Sequence, residues 1–125
     1  MVKTQPVVAV VDDEPEMRKA IRRLLATRGF RVEEYESGDE FLAALGSRPA
    51  HCVLLDLHMP GVSGFEVLEA LGIRHNPVPV IVITAHNEPD TAERVRALNA
   101  CAYLKKPIED DTLFAAIAEA TSGIH

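Results

Sequence analysis

Three short apolar runs constrain this chain more than any other feature. Val7–Val11, Cys52–Leu55 and Val80–Ile83 are each four or five residues long, with no polar residue inside them. A strand with one wet face alternates apolar and polar residues. An unbroken apolar run this short suits a strand buried on both faces, the usual situation in a parallel sheet covered by helices. Arg31–Tyr35 reads as a weaker strand near an edge, and Ala102–Leu104 as a short fifth one. Helical patterns lie between them. Met17, Ala20, Ile21, Leu24 and Leu25 form one stripe, with Gly29 as a stop. Ser37-Gly38-Asp39-Glu40 has the spacing of a capping box before Phe41, Leu42 and Leu45. Gly64–Leu71 is a third helix, with Phe65 and Leu68 in its core stripe. Pro89–Leu98 is a fourth, poorly apolar. Glu109, Asp110 and Asp111 suit the start of a fifth, whose stripe is Leu113, Phe114, Ile117 and Ala118. Five strands alternating with five helices predict an α/β fold, a doubly wound five-stranded parallel sheet with helices on both faces.

Length and charge narrow the function classes. The 125 residues predict one domain, with its core over about residues 6 to 120. The formal charge is 13 − 19 = −6. That sign disfavours direct contact with nucleic acid or an anionic membrane surface. No apolar run approaches the roughly 20 residues of a membrane span, and the start does not resemble a signal peptide, so a cytoplasmic location is expected. Cys52 and Cys101 are too few for a disulfide framework and are expected as small buried hydrophobes.

In open parallel sheets, ligands sit beyond the carboxyl ends of the strands. Asp12 and Asp13 follow the first strand, Asp56 ends the third, and Thr84 ends the fourth. Lys105, Lys106 and Pro107 follow the fifth. Taken alone, Asp12 and Asp13 read equally well as helix caps before Glu14-Pro15. Capping leaves Asp56 and the lysines on the same rim unexplained. Like charges about 4 Å apart repel by roughly 4 kcal/mol at an effective dielectric of 20. Three carboxylates therefore call for a cation or a proton; Lys106 can supply one charge, and an oxygen-only set with open positions suits Mg²⁺ (or Mn²⁺). A carboxylate can also be a nucleophile toward phosphorus. On this reading Mg²⁺ raises the melting temperature, and Asp12→Asn stabilises the metal-free protein.

Four segments carry a resemblance: Val10 to Pro15 (V-V-D-D-E-P), Asp56 to Gly64 (D-L-H-M-P-G-V-S-G), Val82 to Ala85 (V-I-T-A) and Tyr103 to Pro107 (Y-L-K-K-P). In this order, at strand ends, they resemble the CheY-like receiver domain of two-component response regulators over nearly the whole chain. The resemblance implies the flavodoxin-like strand order 2-1-3-4-5. It implies that Asp56 is the phosphoacceptor, charged by a sensor histidine kinase or a histidine phosphotransfer protein. Asp13, Asp56 and the backbone carbonyl of His58 would hold Mg²⁺, with Asp12 acting through water. Lys106 rather than Lys105 matches the family lysine, because it directly precedes Pro107, across a bond that is usually cis. Thr84 would bond the phosphoryl group, and Tyr103 would be the aromatic that rotates inward. The signal would appear on the face of the fourth helix, fifth strand and fifth helix, which would meet a downstream protein, an output domain or a second copy. His58 and His86 stand where the family tunes phosphoryl lifetime; the plainer alternative is two solvent-facing histidines.

The resemblance departs at Asn99-Ala100, where the family often has Gly-Ala; Asn tolerates a left-handed backbone. An aspartate-nucleophile phosphatase of the haloacid-dehalogenase type needs an acid two residues after Asp56, where this chain has His58. An FMN site would be repelled by Asp12-Asp13-Glu14. The remaining alternative is a receiver-like module that binds partners without phosphorylation. In either case the chain is not expected to turn over a separate substrate.

Overall fold

The computed structural model describes residues 5–85 and 88–122. Five strands, β1 (Val7–Val11), β2 (Arg31–Tyr35), β3 (Cys52–Asp56), β4 (Val80–Thr84) and β5 (Ala102–Lys105), form one sheet. They alternate with α1 (Pro15–Ala26), α2 (Gly38–Ala44), α3 (Gly64–Ile73), α4 (Thr91–Ala97) and α5 (Asp110–Thr121). All neighbours pair in parallel, in the order β2-β1-β3-β4-β5. The chain steps to one side from β1 to β2 and to the other from β3 onward. The switch point therefore lies between β1 and β3, where a crevice opens above the strand ends.

Alternation along each strand divides the core between the two faces. Val8, Val10, Cys52, Leu54, Ile81 and Ile83 pack with Ile21 and Leu25 of α1 and Leu113 and Ile117 of α5. Ala9, Val11, Val53, Leu55, Val80 and Val82 pack with Phe41 of α2, Val67, Leu68 and Leu71 of α3, and Val95 of α4. Burying one such aliphatic side chain contributes about 1.5–3 kcal/mol, so the three central strands hold the site on a stiff base. β2 is an edge, as its polar sequence implied. Glu33 there pairs with Arg31 and Arg48, and Glu34 with Arg18 and Arg22. Charges along an edge discourage pairing with another chain.

Three local expectations change. The fourth helix starts at Thr91 rather than Pro89, because Asp90 has φ 64°, a left-handed backbone that cannot continue a helix. The box at Ser37 is half made, with Ser37 Oγ accepting the Glu40 N–H at 3.1 Å. The reciprocal box forms instead between Ser63 and Glu66, at the head of α3. Cys101 is exposed, at the bend before β5, whereas Cys52 is buried as expected and its thiol is pushed up to about 12 by burial. Asn99 does take a positive φ, 70°. Among the described residues no helix is long and apolar enough to cross a membrane.

Candidate functional site

Backbone ladders bring the strand ends together. The Asp12 N–H donates to the Tyr35 carbonyl (3.1 Å), Leu57 N–H to Ile83 (3.3 Å), and Lys106 N–H to Thr84 (2.9 Å). Residues far apart in sequence thus meet on one rim. Asp12 and Asp56 are buried there, Asp13 is exposed, and Thr84 is fully buried. Carboxylate oxygens of all three acids lie within 4.8 Å of one another. The Lys106–Pro107 peptide is cis.

The two buried carboxylates have different partners. Asp12 Oδ2 accepts from Lys106 Nζ at 3.2 Å, and its Oδ1 accepts the Glu14 N–H at 2.9 Å. The N-cap of α1 is Glu14 and no side chain caps that helix, so the Asp12–Glu14 bond closes a turn just before α1 and the capping alternative for Asp12 and Asp13 does not hold. The Asp12 backbone carbonyl accepts from the Arg18 guanidinium. Asp56 Oδ1 accepts the His58 N–H at 3.3 Å, a long bond. Burial, and next the negative charge of Asp12, push the Asp56 carboxyl up to about 6, against the pull of Lys106. Burial works against the Lys106 ammonium, but Asp12, Asp56 and Glu14 outweigh it and its pKa rises. Lys106 Nζ also lies 3.4 Å from Glu14 Oε1. The ammonium is thus docked on the β1 side of the crevice, and the charge of Asp56 is the less neutralised of the two. This transfers the expected relief of repulsion from Asp12, whose loss would strand Lys106, to Asp56.

The loop behind Asp56 is held by close packing. The Gly64 N–H donates to the Leu57 carbonyl at 3.0 Å. A Cβ on Gly64 would fall 2.6 Å from the Asp56 carbonyl oxygen and 2.7 Å from Leu57 Cα, so only glycine lets α3 start here. The capping box fixes the same helix end from the other side: Ser63 Oγ accepts from Glu66 N (3.3 Å), and Glu66 Oε1 accepts from Ser63 N (3.4 Å).

The donor set fits a hard divalent cation. It is oxygen-only, open toward solvent at Asp13, and carries three negative charges against one ammonium. Asp12, Asp13 and Asp56 are the residues brought together that could hold it.

Comparison with known proteins decides the family. Residues 8–118 match the family model described as the response regulator receiver domain. The chain belongs to that family. The receiver is 38% identical over 116 residues to the DNA-binding transcriptional regulator NtrC of Salmonella typhimurium, covering 93% of this chain and 25% of that protein. It is 35% identical over 113 residues to the transcriptional regulatory protein FixJ of Bradyrhizobium diazoefficiens, covering 90% of this chain and 55% of FixJ. It therefore spans between a quarter and about half of these relatives. Among solved structures it superimposes on FixJ-N with a TM-score of 0.89 at 32% identity, covering 98% of each chain. The chemotaxis protein CheY4 of Vibrio cholerae gives a TM-score of 0.86 at 25% identity, covering 94% of this chain and 99% of that one. Receiver domains are phosphoacceptor switches rather than enzymes acting on a separate substrate, and the family binds Mg²⁺ at an acidic pocket.

The receiver's other expected residues are distributed as follows. Tyr103 on β5 is half-buried against the α2–α4 side of the core and borders a cleft with Glu88, Asp90, Glu93 and Lys105. Of the two lysines, Lys105 is exposed beside that cleft and Lys106 faces the carboxylates. His58 is partly exposed, and its Nε2 lies 3.5 Å from Glu88 Oε1. His86 lies outside the described residues. Sequence reasoning missed Glu14, Gly64 and Glu88. Glu14 had a signal, its adjacency to the acid pair, and Gly64 another, a glycine directly after a capping serine. Glu88 had none, because only the fold places it beside His58.

Proposed function

We propose that this chain accepts a phosphoryl group on Asp56 from the phosphohistidine of a sensor kinase or phosphotransfer protein, in a Mg²⁺-dependent reaction, and thereby changes its α4–β5–α5 face. The observation that carries this reading is the state of Asp56: buried at a strand end, incompletely neutralised, and beside both a second carboxylate and an ammonium. An Asp56 oxygen attacks phosphorus. The new P–O bond forms as the P–N bond breaks, and the donor imidazole leaves with the electron pair and takes up a proton. Asp13, Asp56 and the His58 carbonyl would hold Mg²⁺, with Asp12 acting through water. When bound, the ion supplies charge neutralisation for the transferring group. The chain's own contribution is positioning. Lys106 exchanges Asp12 and Glu14 for phosphoryl oxygens, and the Thr84 hydroxyl donates to another.

Withdrawal of Thr84 toward the phosphoryl group leaves room for Tyr103 to pack inward, which alters the cleft between β5 and α4. A full switch from 1:99 to 99:1 requires about 5.5 kcal/mol of differential stabilisation, within reach of a few charge-assisted hydrogen bonds. The altered face would meet a downstream protein, an output domain or a second copy. The phosphoryl group then leaves by hydrolysis at Asp56, so the domain acts on itself alone.

An intact mass spectrum after incubation with a small phosphodonor tests this. One added phosphoryl group in the parent is expected, absent without Mg²⁺ and absent in Asp56→Asn. Addition that persists in Asp56→Asn would overturn the site. No addition from either a small donor or a phosphohistidine protein would favour a module that works without phosphorylation.

A further inference from the structure

The backbone at the end of β1 is held from two sides. The Asp12 N–H donates to the Tyr35 carbonyl of β2 (3.1 Å), and the Asp12 carbonyl accepts from the guanidinium of Arg18, in the first turn of α1. Arg18 is held in turn by Glu34 of β2. Its Nε lies 3.6 Å from Glu34 Oε1, and Nη1 of Arg22, one turn further along α1, lies 3.4 Å from Glu34 Oε2. The Arg18 side chain is only 12% exposed. One guanidinium thus ties together α1, β2 and the end of β1. That use suits arginine rather than lysine, because its planar fork donates to two acceptors in fixed directions.

The bond to Arg18 fixes a peptide plane. The Asp12 carbonyl and the Asp13 nitrogen belong to one rigid unit, so holding the carbonyl sets the direction in which the chain enters Asp13. Asp13 is the exposed member of the three acids whose oxygens lie within 4.8 Å of one another. The Asp12 carboxylate is fixed separately, by Lys106 and by the Glu14 N–H. Loss of Arg18 leaves those two bonds in place and frees the plane that leads to Asp13.

We propose that Arg18, itself held by Glu34, is a positioning residue for the metal-binding acids: it fixes the Asp12–Asp13 peptide so that the Asp13 carboxylate stands within reach of Asp56 before an ion binds. This rests on the Mg²⁺-dependent reading above. Groups that hold metal ligands in place contribute about 10- to 100-fold in metal affinity. Arg18 holds backbone rather than a carboxylate, which places it at the low end of that range. Charge acts in the opposite direction. A guanidinium near the acids repels a cation, so its removal would tighten Mg²⁺ binding if charge alone mattered. The sign of the change therefore separates positioning from electrostatics.

The test measures Mg²⁺ dissociation constants by amide NMR titration, at constant ionic strength, in the parent and five variants. Arg18→Gln is expected to weaken binding about ten-fold. Arg18→Lys keeps the charge but loses the fork, and should weaken binding by a similar factor. Glu34 is 28% exposed, so Glu34→Gln should cost about two- to five-fold. Two variants control for charge. Lys19→Gln removes a positive charge from the exposed neighbour of Arg18. Glu33→Gln removes a negative charge from the adjacent position of β2, where the partners are Arg31 and Arg48. Both should bind Mg²⁺ like the parent. In the metal-free protein the Asp13 amide resonance should move in both Arg18 variants, because its nitrogen shares the plane that Arg18 holds. Unchanged or tighter binding in Arg18→Gln, full affinity in Arg18→Lys, or equal weakening in Lys19→Gln overturns this inference and leaves the functional reading standing. Should the Arg18 variants fail to fold, the β2 pair decides, and equal affinities in Glu34→Gln and Glu33→Gln overturn the inference. A parent that binds no Mg²⁺ overturns the functional reading, and this inference with it.

Discussion

The ends of β1 and β3 lie side by side, and each carries a buried aspartate, yet the two are held in opposite ways. At the end of β1, Asp12 is fully engaged: Lys106 on one oxygen and the Glu14 N–H on the other. At the end of β3, Asp56 has one long backbone bond and a carboxyl raised to about 6 by burial and by Asp12. One acid is part of the framework. The other is left with negative charge that the fold does not compensate, and it is the one suited to attack or to bind a cation. The comparison teaches that proximity alone does not make a reactive carboxylate; the distribution of partners does.

Removing the partner should break the contrast most strongly. Lys106→Ala leaves Asp12 buried and unpaired, and is expected to destabilise the metal-free protein by about 3 kcal/mol in urea unfolding. A loss below about 1 kcal/mol would mean that Asp12 does not depend on that ammonium.

The opposite sign is expected at the other strand end. Asp56→Asn should stabilise the metal-free protein at pH 7 by at most about 3 kcal/mol, since a tenfold change in proton affinity corresponds to about 1.4 kcal/mol. The folded carboxyl titrates near 6, above its unfolded value near 3.9. Its contribution is therefore fully present below about pH 4 and is lost as pH rises through about 6. The parent should gain stability on acidification across that window relative to Asp56→Asn, and the advantage of the variant should disappear near pH 4. An advantage that persists at pH 4 would place its cause outside this titration.

Gly64→Ala sharpens the comparison from the backbone. The added methyl meets the Asp56 carbonyl and Leu57 Cα, so a loss of about 2 kcal/mol is expected. Amide shifts in NMR should concentrate around Asp56 and spare Asp12; a uniform spread would contradict local packing as the cause.

The smallest effect is that of the cation. Mg²⁺ at ten times its dissociation constant should stabilise the parent by about 1.4 kcal/mol in thermal unfolding, and much less in Asp56→Asn. Equal stabilisation of both proteins would assign the ion to other carboxylates.

Much of this is legible in the linear chain because parallel-sheet chemistry sits where apolar runs stop. Val7–Val11, Cys52–Leu55 and Val80–Ile83 announce buried strands, and the polar residues that end them mark the rim. Asp12, Asp13, Asp56, Thr84 and the pair Lys105 and Lys106 can therefore be named from the sequence, and the family resemblance picks Lys106 from the pair. The fourth helix is less legible. Its charged sequence has no strong stripe, and the left-handed turn at Asp90 is set by packing that a sequence window does not contain. The exposure of Cys101 runs against expectation for a similar reason, since cysteine composition says nothing of which side of a bend faces water.

The sequence by itself determined the sheet, its covering helices and the set of groups gathered on one rim. Those follow from short-range patterns, the period of apolar residues and the points where they end. Only the tertiary structure decided which carboxylate Lys106 pairs with, which acid remains incompletely neutralised, that Gly64 must lack a side chain, and that Glu88 meets His58. Each of these depends on separations of a few ångströms between segments distant in the chain. Coulomb energy and steric repulsion change steeply over such distances, whereas sequence patterns locate residues only to an element and a face.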